Sequence, residues 1–337
     1  MPPLTLHALS AGDRVQHELL VVERADKTTR DGQPYAILTL GNASGQIGTA
    51  PIWNDKLLSG WADGVRKGAV VQAIGQVSMY VGRGGAKRQL ELTAPLSLLP
   101  AERFNPDEFL PSVGDTTRLW DYVDKSRAKI ASPTLRRVLD LFFGDDAFRV
   151  RFERAPGSTG GHHAKIGGLL LHVSEVVRIG RETARTMKAD ADVVTAGALL
   201  HDVGKVESYE IGPTGFTFTP CGLLVGHVVL GVLMLERAVA RLGRQVCGEG
   251  QLLELQHLIL SHHGSLEFGS PVQPMTTEAE ILHWADEASA KANDMMEALD
   301  DPEAFAEGGE LSDKKVWRVG RRVWRKPHSW DGPIADS

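Results

Sequence analysis

The sequence predicts a multidomain chain, a small all-β barrel followed by an all-α helical bundle, on three observations. Residues 15 to 99 alternate short β-like runs with turn signals, residues 100 to 117 hold three prolines without sustained periodicity, and from Arg118 apolar residues recur at helical spacing. At 337 residues the chain is long enough for two hydrophobic cores. We therefore expect a nucleic-acid-type barrel in 1–99, a linker in 100–117, a helical domain in 118–310 and a basic, aromatic tail in 311–337.

The β-rich part reads strand by strand as "HELLVVERADKTT", "PYAILTLGNAS", "GQIGTAPIWND", "GAVVQAIGQVSMYV" and "QLELTAPLSLL", with "KLLSGWADGVRKG" as a connecting segment. Five strands with glycine-rich turns suit a closed Greek-key barrel, and the order resembles the OB domains that bind single-stranded nucleic acid. Tyr35, Trp53 and Tyr80 are candidates to stack bases, and Arg83, Lys87 and Arg88 to meet phosphates. The alternative is that the aromatics fill the barrel and "GRGGAK" is only a hairpin turn.

The helical part runs through "LWDYVDKSRAKI", "SPTLRRVLDLFF", "GGLLLHVSEVVRIGRETARTM", "DADVVTAGALLHDVGKV", "GLLVGHVVLGVLMLERAVARL", "GQLLELQHLILSHHG" and "TTEAEILHWADEASAKANDMMEALDD". Thr277 and Glu280 form a capping-box pattern at the start of the last helix, where Met295 and Met296 read as core.

Charge is unevenly spread beneath a net value of −6. Residues 1–100 carry 10 basic against 8 acidic residues and 101–313 carry 20 against 33, whereas Lys314–Lys326 holds seven basic residues and no acid. That distribution suits a polyanion led toward a metal site, or plain solvated faces. The beginning of the chain lacks a basic region followed by an apolar one, and no apolar run reaches the roughly 18 residues of a membrane helix, so the expected location is the cytoplasm with no membrane partner. Cys221 and Cys247 form no C-x-x-C pattern and are expected to be buried thiols.

Seven side chains able to hold a metal fall on five helical segments: His172, His201 with Asp202, His227, His262 with His263, and Asp286. A lone histidine on an apolar face is usually a satisfied core residue. Four apolar segments each carrying histidine would bury many polar groups, at about 1–3 kcal/mol for each one left unpaired. Divalent ions resolve that cost, because neutral imidazole and carboxylate are their ligands.

The order H…HD…H…HH…D resembles the HD superfamily of metal-dependent phosphohydrolases. The blocks "GGHHAKIGGLLLHVSEV", "ALLHDVGK", "GLLVGHVVLG", "LQHLILSHHGSLEFGSPVQPMTTEAEILHWAD" and "AKANDMMEAL" resemble the YhaM family of bacterial 3′-to-5′ exoribonucleases, which join an OB domain to an HD domain. This resemblance spans Val15 to Leu299. It implies that His172, His201, Asp202 and Asp286 hold one ion and that Asp202 bridges to a second held by His227, His262 and His263. Mn²⁺ is the first expectation, with Fe²⁺, Co²⁺, Mg²⁺ and Zn²⁺ also suited. Gly168 stands where some HD enzymes carry a glutamate for a third ion, which argues against one here.

The implied reaction is hydrolysis of single-stranded RNA, with single-stranded DNA as the second candidate, to 5′-mononucleotides. Asp202 and Lys205 would be catalytic, Lys205 as a point charge on the phosphate. His162 and His163 would contact the phosphate or protonate the leaving group, or be a plain loop pair. His283 either supports Asp286 or merely packs, and His257 packs. Two rival functions are an HD phosphodiesterase of small or cyclic dinucleotides, although the "GYP" of the cyclic di-GMP class is missing after "HHG", and a nucleic-acid-binding protein with a structural HD domain. The tail interleaves Trp317, Trp324 and Trp330 with basic residues, as RNA binding or as a hairpin turning at Gly320 would require. Apolar helix faces serve a core or a homo-oligomer interface.

Overall fold

The computed structural model describes residues 4–53, 65–82, 85–242, 246–301, 304–306 and 308–326. Arg83 and Trp330, and most of the "KLLSGWADGVRKG" segment, lie outside the described residues. The chain divides into two compact units, Met1–Ser112 with Ile211–Gly215, and Val113–Glu210 with Phe216–Ser337.

The first unit holds β1 (Arg14–Thr28), β2 (Pro34–Asn42), β3 (Gly45–Thr49), β4 (Ile52–Trp53), β5 (Val70–Gly82), β6 (Gly85–Leu92) and β7 (Ser97–Leu98). Neighbours run β1-β2-β3-β6-β5, and β1 pairs again with β5, which closes the barrel; β3 and β6 are parallel and the other pairs antiparallel. β1 serves both neighbours because it bends. Its first half pairs with β5 and its second with β2, with a register shift between Val21 and Glu23 that leaves Val22 as the extra residue. Closure removes the exposed edges an open sheet would offer.

Alternation fills the interior: Ala36, Leu38 and Leu40 of β2, Val71, Ala73 and Val77 of β5, and Leu90 and Leu92 of β6 all point inward. The core is aliphatic, so the aromatics do not fill it. Pro51, which has no N–H for a ladder, separates β3 from β4 within what the sequence presents as one strand.

The second unit holds α1 (Thr117–Ala128), α2 (Pro133–Phe143), α3 (Asp146–Arg154), α4 (Gly168–Met187), α5 (Ala191–Leu200), α6 (Lys205–Ser208), α7 (Pro220–Leu224), α8 (His227–Leu242), α9 (Glu249–Ser261) and α10 (Thr277–Asp300). Between α6 and α7 the chain forms a two-stranded hairpin, β8 (Tyr209–Gly212) and β9 (Gly215–Phe218), of which Ile211–Gly215 belongs to the first unit. Ser132 and Asp190 cap α2 and α5 through their side chains. For α10 the cap is Thr276, whose hydroxyl accepts from Ala279 N, so the expected Thr277 box is one residue late. Glu280 is engaged instead with the Trp284 indole.

α4, α5 and α10 pack against one another around a core that includes Leu169, Val173, Val176, Ala196, Leu199, Leu258 and Leu282. These helices frame a main apolar interior with a polar knot inside it. Met295 packs near the end of α10 but Met296 is half exposed, and Cys221 is exposed while Cys247 is buried, so one residue of each expected pair lies outside the core.

The tail folds back as a hairpin, with bridges Leu311–Trp324 and Val316–Arg321. Val323 and Phe305 bury against Ala298 at the end of α10. Arg325 donates to the Leu299 carbonyl and covers the Phe305 ring, and Arg318 pairs with Glu297. Several of the tail's charges are therefore structural, while Trp317 is 73% exposed.

Candidate metal centre

Two of the ligand pairs sit where a helix stops, and the stop explains their orientation. His201 and His262 are the C-cap residues of α5 and α9. The last carbonyls of a helix lack intrahelical donors. His201 Nδ1 donates to Ala198 O at 2.8 Å, and His262 Nδ1 donates to Ile259 O at 2.7 Å. Each ring thereby satisfies the last turn and aims a lone pair from Nε2 inward.

The glycines beside these motifs permit close approach. A Cβ on Gly204 would lie 2.0 Å from the His227 carbonyl oxygen and 2.5 Å from Gly231 N, so only glycine lets the turn after Asp202 press on α8. Gly264, at φ +79°, leads the chain away from α9, and a side chain there would strike the His283 ring. That ring donates from Nδ1 to His262 O at 2.8 Å, which gives His283 a supporting role.

All seven predicted ligands converge. Potential ligand atoms of Asp202, His227, His262 and His263 lie within 4.8 Å of one another, and those of His172, His201 and Asp286 do the same. Asp202 joins the two groups: its Oδ2 is 3.4 Å from His172 Nε2 and 3.3 Å from His201 Nε2, whereas its Oδ1 is 3.4 Å from His227 Nε2 and 3.7 Å from His262 Nε2. Asp286 Oδ1 stands 3.0 Å from His172 Nε2.

The centre is largely buried and some of its polar atoms lack partners. His172, His201 and His262 are fully buried, yet Asp202 Oδ1 and His262 Nε2 have no hydrogen-bond partner. Converging imidazole Nε2 atoms at 3.3 Å, as between His172 and His201 and between His227 and His263, cannot all be donors. A divalent cation in each group resolves both facts, so this donor set fits two ions with Asp202 shared.

Electrostatics agree. Burial would raise the Asp202 carboxyl, but Lys205 and His201 outweigh it and hold the group well below the carboxylate range. Burial would lower Lys205, but Asp202 holds it above its usual value. Burial also opposes a charge on His172, but its bonds to Asp202 and Asp286 carry it up to about 9. Burial lowers His227 to about 3 and His262 well below its ordinary value, so both are ready as neutral ligands.

Lys205 is buried with Nζ 2.6 Å from Asp202 Oδ2. His162 lies beside the centre, its ring centroid 5.5 Å from that of His172 and its Nδ1 3.9 Å from Asp294 Oδ2; burial, then the charges of Lys205 and His172, lower it to about 3. His163 is fully buried at φ 54°, with Nε2 donating to Glu175 Oε2 at 3.1 Å. Its ring faces a carboxylate rather than solvent. Gly168 admits no side chain, because a Cβ would fall 2.0 Å from the His163 carbonyl oxygen.

Sequence reasoning missed Glu175, Ser289 and Asn293. His172 Nδ1 donates to Ser289 Oγ at 3.0 Å, Ser289 Oγ donates to Glu175 Oε2 at 2.7 Å, and Asn293 Nδ2 donates to the same oxygen at 2.9 Å. Glu175 follows His172 by three residues and Ser289 follows Asp286 by three, the spacing of one helix face. That spacing was the available signal.

Among the barrel candidates, Tyr35 and Trp53 are cross-strand partners with ring centroids 5.1 Å apart, and Trp53 is 41% exposed. Tyr80 is exposed opposite Lys87 in the β5–β6 hairpin. Arg88 instead donates to the His7 and Leu9 carbonyls at 3.0 and 2.8 Å, so it ties down the segment before β1.

The helical unit and its paired ligand groups define an HD-domain protein. The HD domain family model matches residues 169–291, a span that contains every one of the seven ligands. Relatives are similar along nearly the whole chain. The 3′-5′ exoribonuclease YhaM of Bacillus subtilis is 32% identical over 320 residues, covering 94% of this chain and 96% of that protein. Those of Bacillus pumilus and Shouchella clausii are 30% and 31% identical over 318 and 325 residues, covering 94% and 96% of this chain and 96% of each relative. The chain belongs to the YhaM 3′-5′ exoribonuclease family.

Proposed function

We propose that this chain is a metal-dependent 3′-to-5′ exoribonuclease that removes 5′-mononucleotides from single-stranded RNA. The observation that carries the reading is Asp202, with one oxygen toward His172 and His201 and the other toward His227 and His262. Two divalent ions so held would activate water and neutralise the phosphodiester charge. Water adds to phosphorus, the P–O3′ bond breaks, the shortened strand keeps its 3′-hydroxyl and the released unit keeps the 5′-phosphate.

Within this scheme Lys205 offsets the Asp202 charge in the absence of substrate and lies where a phosphate oxygen would draw it. His162, held neutral by burial, offers its ring to the substrate phosphate or to the leaving oxygen, and His163 positions Glu175. Residues 1–99 form the RNA-binding barrel, with Tyr35, Trp53, Tyr80 and Lys87 as its contacts, joined through 100–117 to the catalytic domain 118–310 and the tail 311–337. Mn²⁺ is the ion we expect first, although mixed imidazole and carboxylate sites accept several first-row ions. Single-stranded DNA is the second candidate substrate. No helix among the described residues is long and apolar enough to cross a membrane, and a cytoplasmic location and a homo-oligomer complete the reading.

The test uses RNA labelled at its 5′ end. Chelation by EDTA should stop stepwise shortening and Mn²⁺ should restore it, while Asp202→Ala should abolish shortening and leave RNA binding largely intact. Shortening that survives chelation sinks the proposal.

A further inference from the structure

Beside the metal centre lies a second recess that the reaction scheme does not use. It has a volume of about 370 Å³, inside the roughly 300–1,000 Å³ range of small-molecule sites. Its walls include His263, Gly264, Phe268, Gln273, His283 and Trp284. His263 belongs to both this recess and the ligand group of Asp202. Whatever occupies the recess is therefore within one residue's width of the reacting phosphate.

Its aromatic wall is fixed in place. The Trp284 side chain is 60% exposed, which is unusual for so large an apolar group, yet its indole N–H donates to Glu280 Oε1 at 2.9 Å. On its other side the ring meets His283, with centroids 5.0 Å apart, and His283 is itself anchored to the carbonyl of the ligand His262. Phe268, also 60% exposed, lines the same recess, and its backbone carbonyl accepts from His263 Nδ1 at 2.7 Å. Trp284 thus reaches the metal-binding residues through its ring contact with His283, and Phe268 through its backbone carbonyl. Gln273 adds an amide that can donate and accept at once, the chemistry of a base edge.

We propose that this recess seats the nucleobase of the 3′-terminal nucleotide, stacked on Trp284, while the phosphate on its 5′ side lies over the metal centre. The assignment rests on the exoribonuclease reading above and adds to it a subsite for one base. An enzyme that takes units singly needs a place for one unit beyond the scissile phosphate, and a recess of this size next to His263 holds one. Stacking is tolerant of base identity, because every base has a π-face, so the subsite would accept all four.

The experiment compares 5′-labelled RNAs that are intact, abasic at the terminal nucleotide, or abasic at the penultimate one. Wild-type protein should cleave the terminally abasic RNA roughly tenfold less efficiently than intact RNA, the size expected for one lost base–aromatic stack. Trp284→Ala should lose a similar factor on intact RNA and little more on terminally abasic RNA, and Trp284→Phe should recover most of the activity. Equal loss on both RNAs would overturn the proposal, as would a wild-type preference that follows the penultimate base. A second readout uses the holoenzyme and needs no turnover: 5′-AMP should quench a part of the tryptophan emission that Trp284→Phe lacks. An unchanged spectrum overturns the subsite. Failure of the wild type to shorten any RNA would instead remove the exoribonuclease reading.

Discussion

Lys205 Nζ lies 2.6 Å from Asp202 Oδ2, and both side chains are almost completely buried. The pair is three residues apart across the turn that follows α5, so the backbone fixes it. Removing one partner of a buried pair leaves an uncompensated charge and costs about 3–5 kcal/mol. Lys205→Met should therefore lower the melting temperature of the metal-free protein by roughly 6–20 °C, at about 2–4 °C per kcal/mol for a domain of this size. Added Mn²⁺ should restore more of that loss than it adds to the wild type, because cations replace the ammonium beside Asp202. Differential scanning calorimetry with and without metal checks this, and equal metal-induced shifts in the two proteins would contradict it.

The chain from His172 through Ser289 to Glu175 predicts an effect on metal affinity without loss of a ligand. Ser289 accepts from His172 Nδ1 and passes its own proton to Glu175 Oε2. Groups that orient a metal-bound histidine typically contribute 10–100-fold in affinity. Ser289→Ala should weaken binding at the His172 group by about that factor, as titration calorimetry would record. Glu175→Ala should do likewise, and the double variant should lose little more than either, since both act through the same ring. Full additivity would place them in separate roles.

Proton release should distinguish the two ligand groups. His172 holds a proton up to about 9, because Asp202 and Asp286 outweigh the burial that opposes it. A metal needs the neutral ring, so below that value each ion bound there must displace a proton. Affinity at this group should rise roughly tenfold per pH unit up to about pH 9 and then level off. His227, lowered to about 3, and His262, also lowered, are already neutral near pH 7 and ask for no such exchange. Calorimetry in buffers of different ionisation enthalpy should find more proton release on filling the first group than on filling the second.

The convergence of the seven side chains was legible because several apolar segments, among them "GGLLLHVSEV" and "LILSHHG", each carry histidine, which jointly would bury many polar groups. The barrel was legible from five short β-like runs between glycine-rich turns, and Leu38 and Leu40 on β2 face its core. The hairpin at Tyr209–Phe218 was not, since four-residue strands are too short to show a period. Glu175 escaped notice because a glutamate on a helix is ordinarily solvated. Only the fold reveals that three donors converge on its Oε2. Arg88 carries a link that its sequence does not show, since its guanidinium donates to the His7 and Leu9 carbonyls before β1.

Tyr35, Trp53, Lys87 and Arg88 separate binding from scaffolding in the barrel. Trp53 is exposed beside Tyr35, and an exposed aromatic that stacks a base is worth about 1–3 kcal/mol. Trp53→Ala and Tyr35→Ala should each weaken RNA binding roughly 5- to 150-fold in fluorescence anisotropy, with the melting temperature nearly unchanged. Lys87→Ala should act differently. Losing one phosphate contact on a single strand lowers the slope of log affinity against log salt by about 0.7. Arg88→Ala should leave that slope alone and destabilise the barrel instead, because two carbonyls before β1 lose their donor. A salt slope that fell for Arg88→Ala and held for Lys87→Ala would reverse the roles assigned to the two side chains.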